Sequence, residues 1–267
     1  MSQQELDNIH NSVRDAYAKV AEADDIGCGC GVPTSCCGTA PDLAGFSIKL
    51  GYSEADLLAV PGGADMGLGC GNPSVIAALQ PGETVVDLGS GGGFDCFLAA
   101  RQVGENGRVI GVDMTPAMLS KARNNALEGG YGNVEFRLGE IEFLPVANDT
   151  ADVIMSNCVI NLSPDKQQVF YEAYRILKPG GRLAISDVVA SCELPEAVKN
   201  DLELYSACVS GASMIHELET FMHNAGFTAI TIEPKEESAA FIKEWAPGRK
   251  IEDLVISASI EAVKPLD

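Results

Sequence analysis

Three cysteines stand in contexts that can do chemistry. Cys70 lies in GLGCGNP, Cys158 in SNCVINLSPDK and Cys208 in LYSACVSGA. Three thiolates brought to one point suit a soft trivalent ion. Four more cysteines, Cys28, Cys30, Cys36 and Cys37, crowd a segment rich in Gly, Pro and Ser that reads as a loop. That cluster lacks the two separated C-x-x-C pairs of a structural zinc site. A second constellation runs from Val85 to Gly93: Val-Val-Asp87-Leu-Gly89-Ser90-Gly91-Gly-Gly93. Glycines there let the backbone turn tightly and approach a ligand. A dinucleotide fingerprint would need glycine at position 94, where this chain has Phe94. Asp113 closes the next apolar run, and a carboxylate there can accept two hydrogen bonds from ribose hydroxyls. Met114 beside it can pack on an adenine face.

These residues need a scaffold, and the pattern supplies one. Short β-rich runs appear at TVVDLG, RVIGVDM, VEFRLGE, ADVIMSN and RLAISDVV. Helical stretches lie between them: FDCFLAARQV, TPAMLSKARNNALEGG and DKQQVFYEAYRILKPGG. Such alternation predicts a parallel sheet covered on both faces. TAITIEP and DLVISASIEAV add two strands with little helix between them, expected as an antiparallel edge. Cys158 then falls at the carboxyl end of the fourth strand. Cys208 falls on a helical insertion after the fifth, around residues 190–225, and Cys70 in a loop before the first. Leu6, Ile9, Val13, Ala16 and Val20 recur at helical spacing, and Ser53 is a plausible cap for a short helix. Residues 1–70 read as an N-terminal helix with a cysteine-rich loop or lid, and 71–267 as the main domain.

Composition narrows the function. The formal charge of −20 repels phosphate backbones and anionic membranes, so neither nucleic acid nor membrane is an expected partner. No apolar run is long enough to span a bilayer. The first residues have no basic region and no continuous apolar core, so they do not read as a secretory signal, and the cytoplasm is the expected compartment. Nine cysteines, an odd number, argue against a fully paired disulfide framework. Cys96 reads as a core residue, and Cys192 as an incidental or redox thiol. His10, His216 and His223 show no ligand spacing and read as surface or packing residues.

The form D-x-G-x-G-x-G resembles motif I of class I methyltransferases. Together with GLGCGNP, GVDMTPAML, SNCVINLSPDK and the Cys208 segment, it is similar to the arsenite methyltransferases that use S-adenosylmethionine. The resemblance covers roughly residues 50–265. It implies a Rossmann-like class I methyltransferase fold with a mostly parallel seven-stranded sheet, helices on both faces and an antiparallel edge strand. It implies S-adenosyl-L-methionine as cofactor, held by Asp87, Gly89, Ser90, Gly91, Gly93, Asp113, Met114, Glu140, Ile141 and Asn157. As(III) would be ligated by Cys158 and Cys208 with Cys70 as third partner. An N-terminal cysteine in the Cys36–Cys37 pair would cooperate with Cys70, through a disulfide during turnover; spacing does not decide which. Arsenite or thiol-bound As(III) is the implied substrate, glutathione or thioredoxin the thiol partner, and a monomer the working expectation. Two other functions fit the residues less closely. One is methylation of a small organic acceptor such as a quinone precursor; the other is arsenic or metal sequestration without turnover.

Overall fold

The computed structural model describes residues 3–22 and 43–266. Cys28, Cys30, Cys36 and Cys37, and the loop and disulfide expectations attached to them, lie outside the described residues. The helices are α1 (Gln3–Glu22), α2 (Leu43–Lys49), α3 (Glu54–Ala59), α4 (Pro73–Ala77), α5 (Phe94–Val103), α6 (Pro116–Gly129), α7 (Lys166–Ile176), α8 (Glu196–Lys199), α9 (Leu202–Ser206), α10 (Ile215–Ala225) and α11 (Ala239–Trp245). The strands are β1 (Thr84–Leu88), β2 (Arg108–Asp113), β3 (Val134–Leu138), β4 (Ala151–Asn157), β5 (Leu177–Ala190), β6 (Thr228–Pro234) and β7 (Val255–Val263).

The strands form one sheet in the order β3-β2-β1-β4-β5-β7-β6. β1 to β5 run parallel, and β7 and β6 close the sheet antiparallel. The seven-stranded, mostly parallel sheet with an antiparallel edge is therefore as the pattern predicts. Successive strand residues face opposite sides. Val86, Leu88, Ile110 and Ile154 pack against Phe170 of α7 and Met222 of α10. Val85, Val109 and Val153 pack against Phe97 of α5 and Leu119 of α6. Both layers are built by β-branched strands feeding helices of matching apolar stripe.

A third apolar cluster lies over the strand ends. It joins Val13 of α1, Tyr52, Cys70, Cys158, Tyr205, Cys208 and Phe241. The three singled-out cysteines thus belong to one buried layer.

Three boundaries differ from the pattern. The stretch Leu177–Gly181, read as a helix tail, belongs to β5; Pro179 and Gly180, the latter at φ +80, cannot continue a helix. Leu177 pairs with Ala151 across a register shift before the regular ladder begins. A helix, α11, stands between β6 and β7 where little helix was expected, because Phe241 and Ile242 bury one short face. α4 was not anticipated. Asn72 caps it through Ser74 and Val75, Pro73 occupies its first turn, and five residues carry too little periodicity to read.

Candidate active site

β1 and β4 are neighbours whose chain connections leave in opposite directions, so a crevice opens at their carboxyl ends. The turn after β1 lines it. Gly89 has φ +70, and a Cβ there would lie 2.3 Å from Val159 Cγ2, so only glycine fits. Gly93, at φ +93, backs the turn against Phe97 and Phe136 and starts α5. The Gly91 amide donates to Asp113 Oδ2 (2.9 Å) and the Thr115 amide to Oδ1 (2.8 Å). The Thr115 side chain also bonds this carboxylate, and of its roughly four acceptor positions capacity remains for a ligand.

The cleft extends from Asp113 and Met114 past Ile141 and Gly89–Gly91 to Asp87, Asp95, Asn157 and Cys158. Its electrostatics are those of a cation site. Burial, with the Asp95 charge beside it, pushes Asp87 well above the usual carboxylate range. Burial pushes Asp95 up to about 6, against hydrogen bonds from Tyr52 and Asn157. Burial also raises Asp113, although the Thr115 and Gly91 amides pull it down. Among the described residues the buried Ser90 Oγ has no hydrogen-bond partner. A ligand with ribose hydroxyls for Asp113 and an ammonium and a sulfonium for the acidic floor of Asp87 and Asp95 answers the three carboxylates, so the residues fit S-adenosylmethionine.

Of the cofactor residues expected from sequence, Gly93 and Glu140 do not line the cleft, Gly93 because it backs the turn and Glu140 because it faces α1. Glu140 pairs with Arg14 of α1 (3.0 Å), and Gly139, Ile141 and Glu142 line the cleft instead. His10 is not a bystander. It lines the cleft, and its Nε2 lies 3.0 Å from Glu142 Oε1. The Glu142 hydrogen bond, working against desolvation, raises its pKa. Cys96 is buried in the core as expected and donates to Asp87 Oδ2 (3.2 Å). Cys192 is exposed.

Cys70, Cys158 and Cys208 are all buried and carry no disulfide. The Cys70 amide donates to Asn157 Oδ1 (3.0 Å), and its carbonyl accepts from Ser257 Oγ of β7 (2.7 Å). Cys158 and Cys208 adopt left-handed backbone, φ +59 and +62, a conformation costing roughly 1–2 kcal/mol outside glycine. Cys208 Sγ donates to the Cys158 carbonyl (2.8 Å). The Cys158 and Cys70 sulfurs lie within 4.8 Å of each other and of an Asp187 oxygen. Hydrogen bonds with Cys208 and Cys70, then burial, push the Cys158 thiol well up. Cys208 gains from its hydrogen bond to Cys158, but desolvation and the nearby Asp187 and Cys70 raise it on balance.

Tyr52, Asp95, Asp187 and Tyr17 escaped the sequence reading, and Asn157, expected beside the cofactor, binds two of the site's loops together. Tyr52 donates to Asp95 Oδ1 (2.7 Å), and Asn157 Nδ2 reaches Tyr52, Gly71 O (2.8 Å) and Asp95. Asp187 lies inside the apolar β5 run ISDVV, where a carboxylate is out of place, a signal that was available. Tyr17 lines both the cofactor cleft and a second cavity of about 320 Å3. That cavity is walled by Phe46, Leu68, Trp245, Cys158 and Cys208. Cys158 borders both spaces, at the point where a ligand in one meets a ligand in the other.

A methyltransferase-domain family matches residues 79–226, over half of the chain. The chain is 51% identical to the arsenite methyltransferase of Halobacterium salinarum over 95% of its own length and 66% of that protein's. It is 40% identical to the arsenite methyltransferase of Aquipseudomonas alcaligenes, covering 82% of this chain and 62% of that one. The chain thus spans just under two thirds of the length of these curated relatives. Among solved structures it superposes on an arsenic(III) S-adenosylmethionine methyltransferase from Chlamydomonas reinhardtii with a TM-score of 0.60 at 33% identity. That match covers 84% of this chain and 73% of that one. Fold, crevice and sequence likeness agree: the chain belongs to the methyltransferase-domain family, and within it to the arsenite S-adenosylmethionine methyltransferases.

Proposed function

We propose that this chain methylates trivalent arsenic held by Cys70, Cys158 and Cys208, giving methylated arsenicals. The observation that carries the reading is the position of Cys158, which borders both the cofactor cleft and the second cavity. S-adenosylmethionine supplies an electrophilic methyl group on a sulfonium sulfur. Asp113 and Met114 hold the nucleoside end; Asp87, Asp95 and Asn157 face the charged amino-acid end; Gly89, Ser90, Gly91 and Gly93 shape the turn between. Glu140 fastens α1 rather than touching the cofactor.

The thiols do the rest. Three sulfurs bind As(III) as a pyramid and leave its lone pair free, so the nucleophile needs no strong general base. Each thiol loses its proton to the departing hydroxide of arsenite, which leaves as water. The buried layer around the sulfurs excludes bulk water and fixes the acceptor, turning a two-body encounter into an intramolecular one. Thiolate attack on arsenite is helped by substrate ligation, which offsets the raised thiol pKa values. Methyl transfer onto the lone pair leaves S-adenosylhomocysteine and arsenic two electrons more oxidised; Cys70 and one of Cys36 and Cys37 return those electrons as they close a disulfide and release two protons, and glutathione or thioredoxin then reduces that disulfide. Residues 1–70 act as a helix and lid on the 71–267 domain. Among the described residues no helix is long and apolar enough to cross a membrane, which accords with work in the cytoplasm.

The test is anaerobic turnover with cofactor, arsenite and a thiol reductant. Methylarsenicals and S-adenosylhomocysteine should appear together, and Cys158→Ser or Cys208→Ser should stop both. Unchanged product from both variants would overturn the reading.

A further inference from the structure

A three-sulfur acceptor site has no need of a fourth donor, yet the structure provides one. Asp187 is 1% exposed. Its Oδ1 accepts from Asn161 Nδ2 (2.9 Å) and the Val188 amide (2.8 Å), and its Oδ2 from the Ile160 amide (2.9 Å). Oδ2 therefore keeps a lone pair. The nearest cation acting on it, Lys166, donates to the Ser163 carbonyl (3.2 Å) instead of pairing with the carboxylate. A buried carboxylate without a contact cation is costly unless something else compensates its charge.

An Asp187 oxygen and the Cys70 and Cys158 sulfurs all lie within 4.8 Å of one another. Donors around a four-coordinate ion with metal–sulfur bonds of about 2.3 Å stand a little under 4 Å apart. Side-chain shifts of well under an ångström per donor close that gap. Cys208 Sγ stands outside that group, on the Cys158 carbonyl (2.8 Å), and the fourth corner requires it to turn in from there. Three thiolates and one carboxylate form the tetrahedral set of a soft d10 divalent ion, whereas As(III) takes three sulfurs and reserves its fourth direction for a lone pair.

We propose that Cys70, Cys158, Cys208 and Asp187 form a four-donor site for a soft divalent cation such as Zn2+ or Cd2+, with Asp187 as the oxygen ligand, and that this ion competes with the trivalent acceptor. Binding replaces three S–H bonds by three metal–sulfur bonds and releases three protons to solvent. The dianionic centre that results is offset in part by Lys166. The competition rests on the proposed acceptor site; the metal site itself does not.

Cd2+ is the probe. Cys28, Cys30, Cys36, Cys37 and Cys192 are replaced by serine so that thiols outside the site do not bind it. Calorimetric titration should give one equivalent, displaced by arsenite. Asp187→Asn should weaken Cd2+ at least tenfold, on the scale of losing one metal-site partner, and should weaken arsenite by a clearly smaller factor. Cys158→Ser should abolish both. Undiminished Cd2+ binding by Asp187→Asn, or simultaneous binding of Cd2+ and arsenite, overturns the proposal. An anomalous-diffraction crystal structure of the unsubstituted chain with Cd2+ decides the matter without relying on the folding of a variant. A peak bonded to the Asp187 carboxylate is expected, and one held by sulfur alone overturns it. Turnover without Cd2+ tests the methyl-transfer reading separately, so either can fail while the other stands.

Discussion

Asn157 links the two halves of the site, and Asn157→Ala should uncouple them. Its Oδ1 accepts the Cys70 amide at 3.0 Å and its Nδ2 donates to Gly71 O at 2.8 Å, so one amide side chain pins the loop that carries Cys70. The same Nδ2 contacts Tyr52 Oη (3.0 Å) and Asp95 Oδ2 (3.2 Å) at the floor of the cofactor cleft. Truncation strips partners from two backbone groups, each costing about 1–3 kcal/mol when left unsatisfied in the interior. The sum is about 4 kcal/mol. At roughly 2–4 °C per kcal/mol for a chain of this class, Tm should fall on the order of 10 °C. Cys70 should also lose its fixed position, so arsenite affinity should drop at least tenfold in calorimetry even well below Tm. Asn157→Asp keeps the acceptor for the Cys70 amide but sets a new charge against Asp95, and it should weaken arsenite less than alanine does. A Tm within about 1 °C of wild type, with unchanged arsenite affinity, would refute the linkage.

Gly89→Ala should raise the S-adenosylhomocysteine dissociation constant at least tenfold, because its Cβ would lie 2.3 Å from Val159 at a left-handed φ. Gly82→Ala, equally left-handed but facing open space, should cost only about 1 kcal/mol of stability and leave cofactor affinity alone. The α1 contact should depend on pH. Glu142 raises His10 above its ordinary 6.5, against burial, so the contribution of His10 is complete below 6.5 and is lost as pH climbs through the raised value. Burial alone lifts Glu142, but hydrogen bonds from His10 and Ser163 outweigh it and hold it below 4.5. Its contribution is complete above 4.5 and fades as pH falls through the lowered value. Hydrogen exchange of α1 should therefore be slowest between about 4.5 and 6.5 after correction for intrinsic rates. His10→Ala should flatten the alkaline side of that profile, and an unflattened profile would reject the pairing.

The cofactor half of the site was legible because it is local. Gly89, Gly91 and Gly93 sit on one turn, and Asp113 closes the adjacent strand, so strand periodicity fixes their neighbourhood. The cysteine half was legible only in part. Cys158 and Cys208 could be assigned to the correct edge of the sheet from strand order, but the left-handed backbone at both leaves no mark in the residue types. Tyr52, Asp95 and Asn157 form a network whose members come from a loop, a helix start and a strand end, a convergence that one-dimensional spacing does not encode. Glu140 is a similar case: Glu142, two residues on, lines the cleft, whereas Arg14, far away in the chain, pairs with Glu140. α4 and α11 were too short to show a period, and Leu177–Gly181 carried the Pro and Gly of a turn into a bulged strand.

The most direct measurement is arsenic-edge X-ray absorption on protein loaded with one equivalent of arsenite, with Cys28, Cys30, Cys36, Cys37 and Cys192 replaced by serine. Three sulfur neighbours and no oxygen are expected, falling to two sulfurs when Cys70 is also replaced. An oxygen-dominated shell, or three sulfurs that persist after Cys158→Ser, would contradict ligation by the three cysteines.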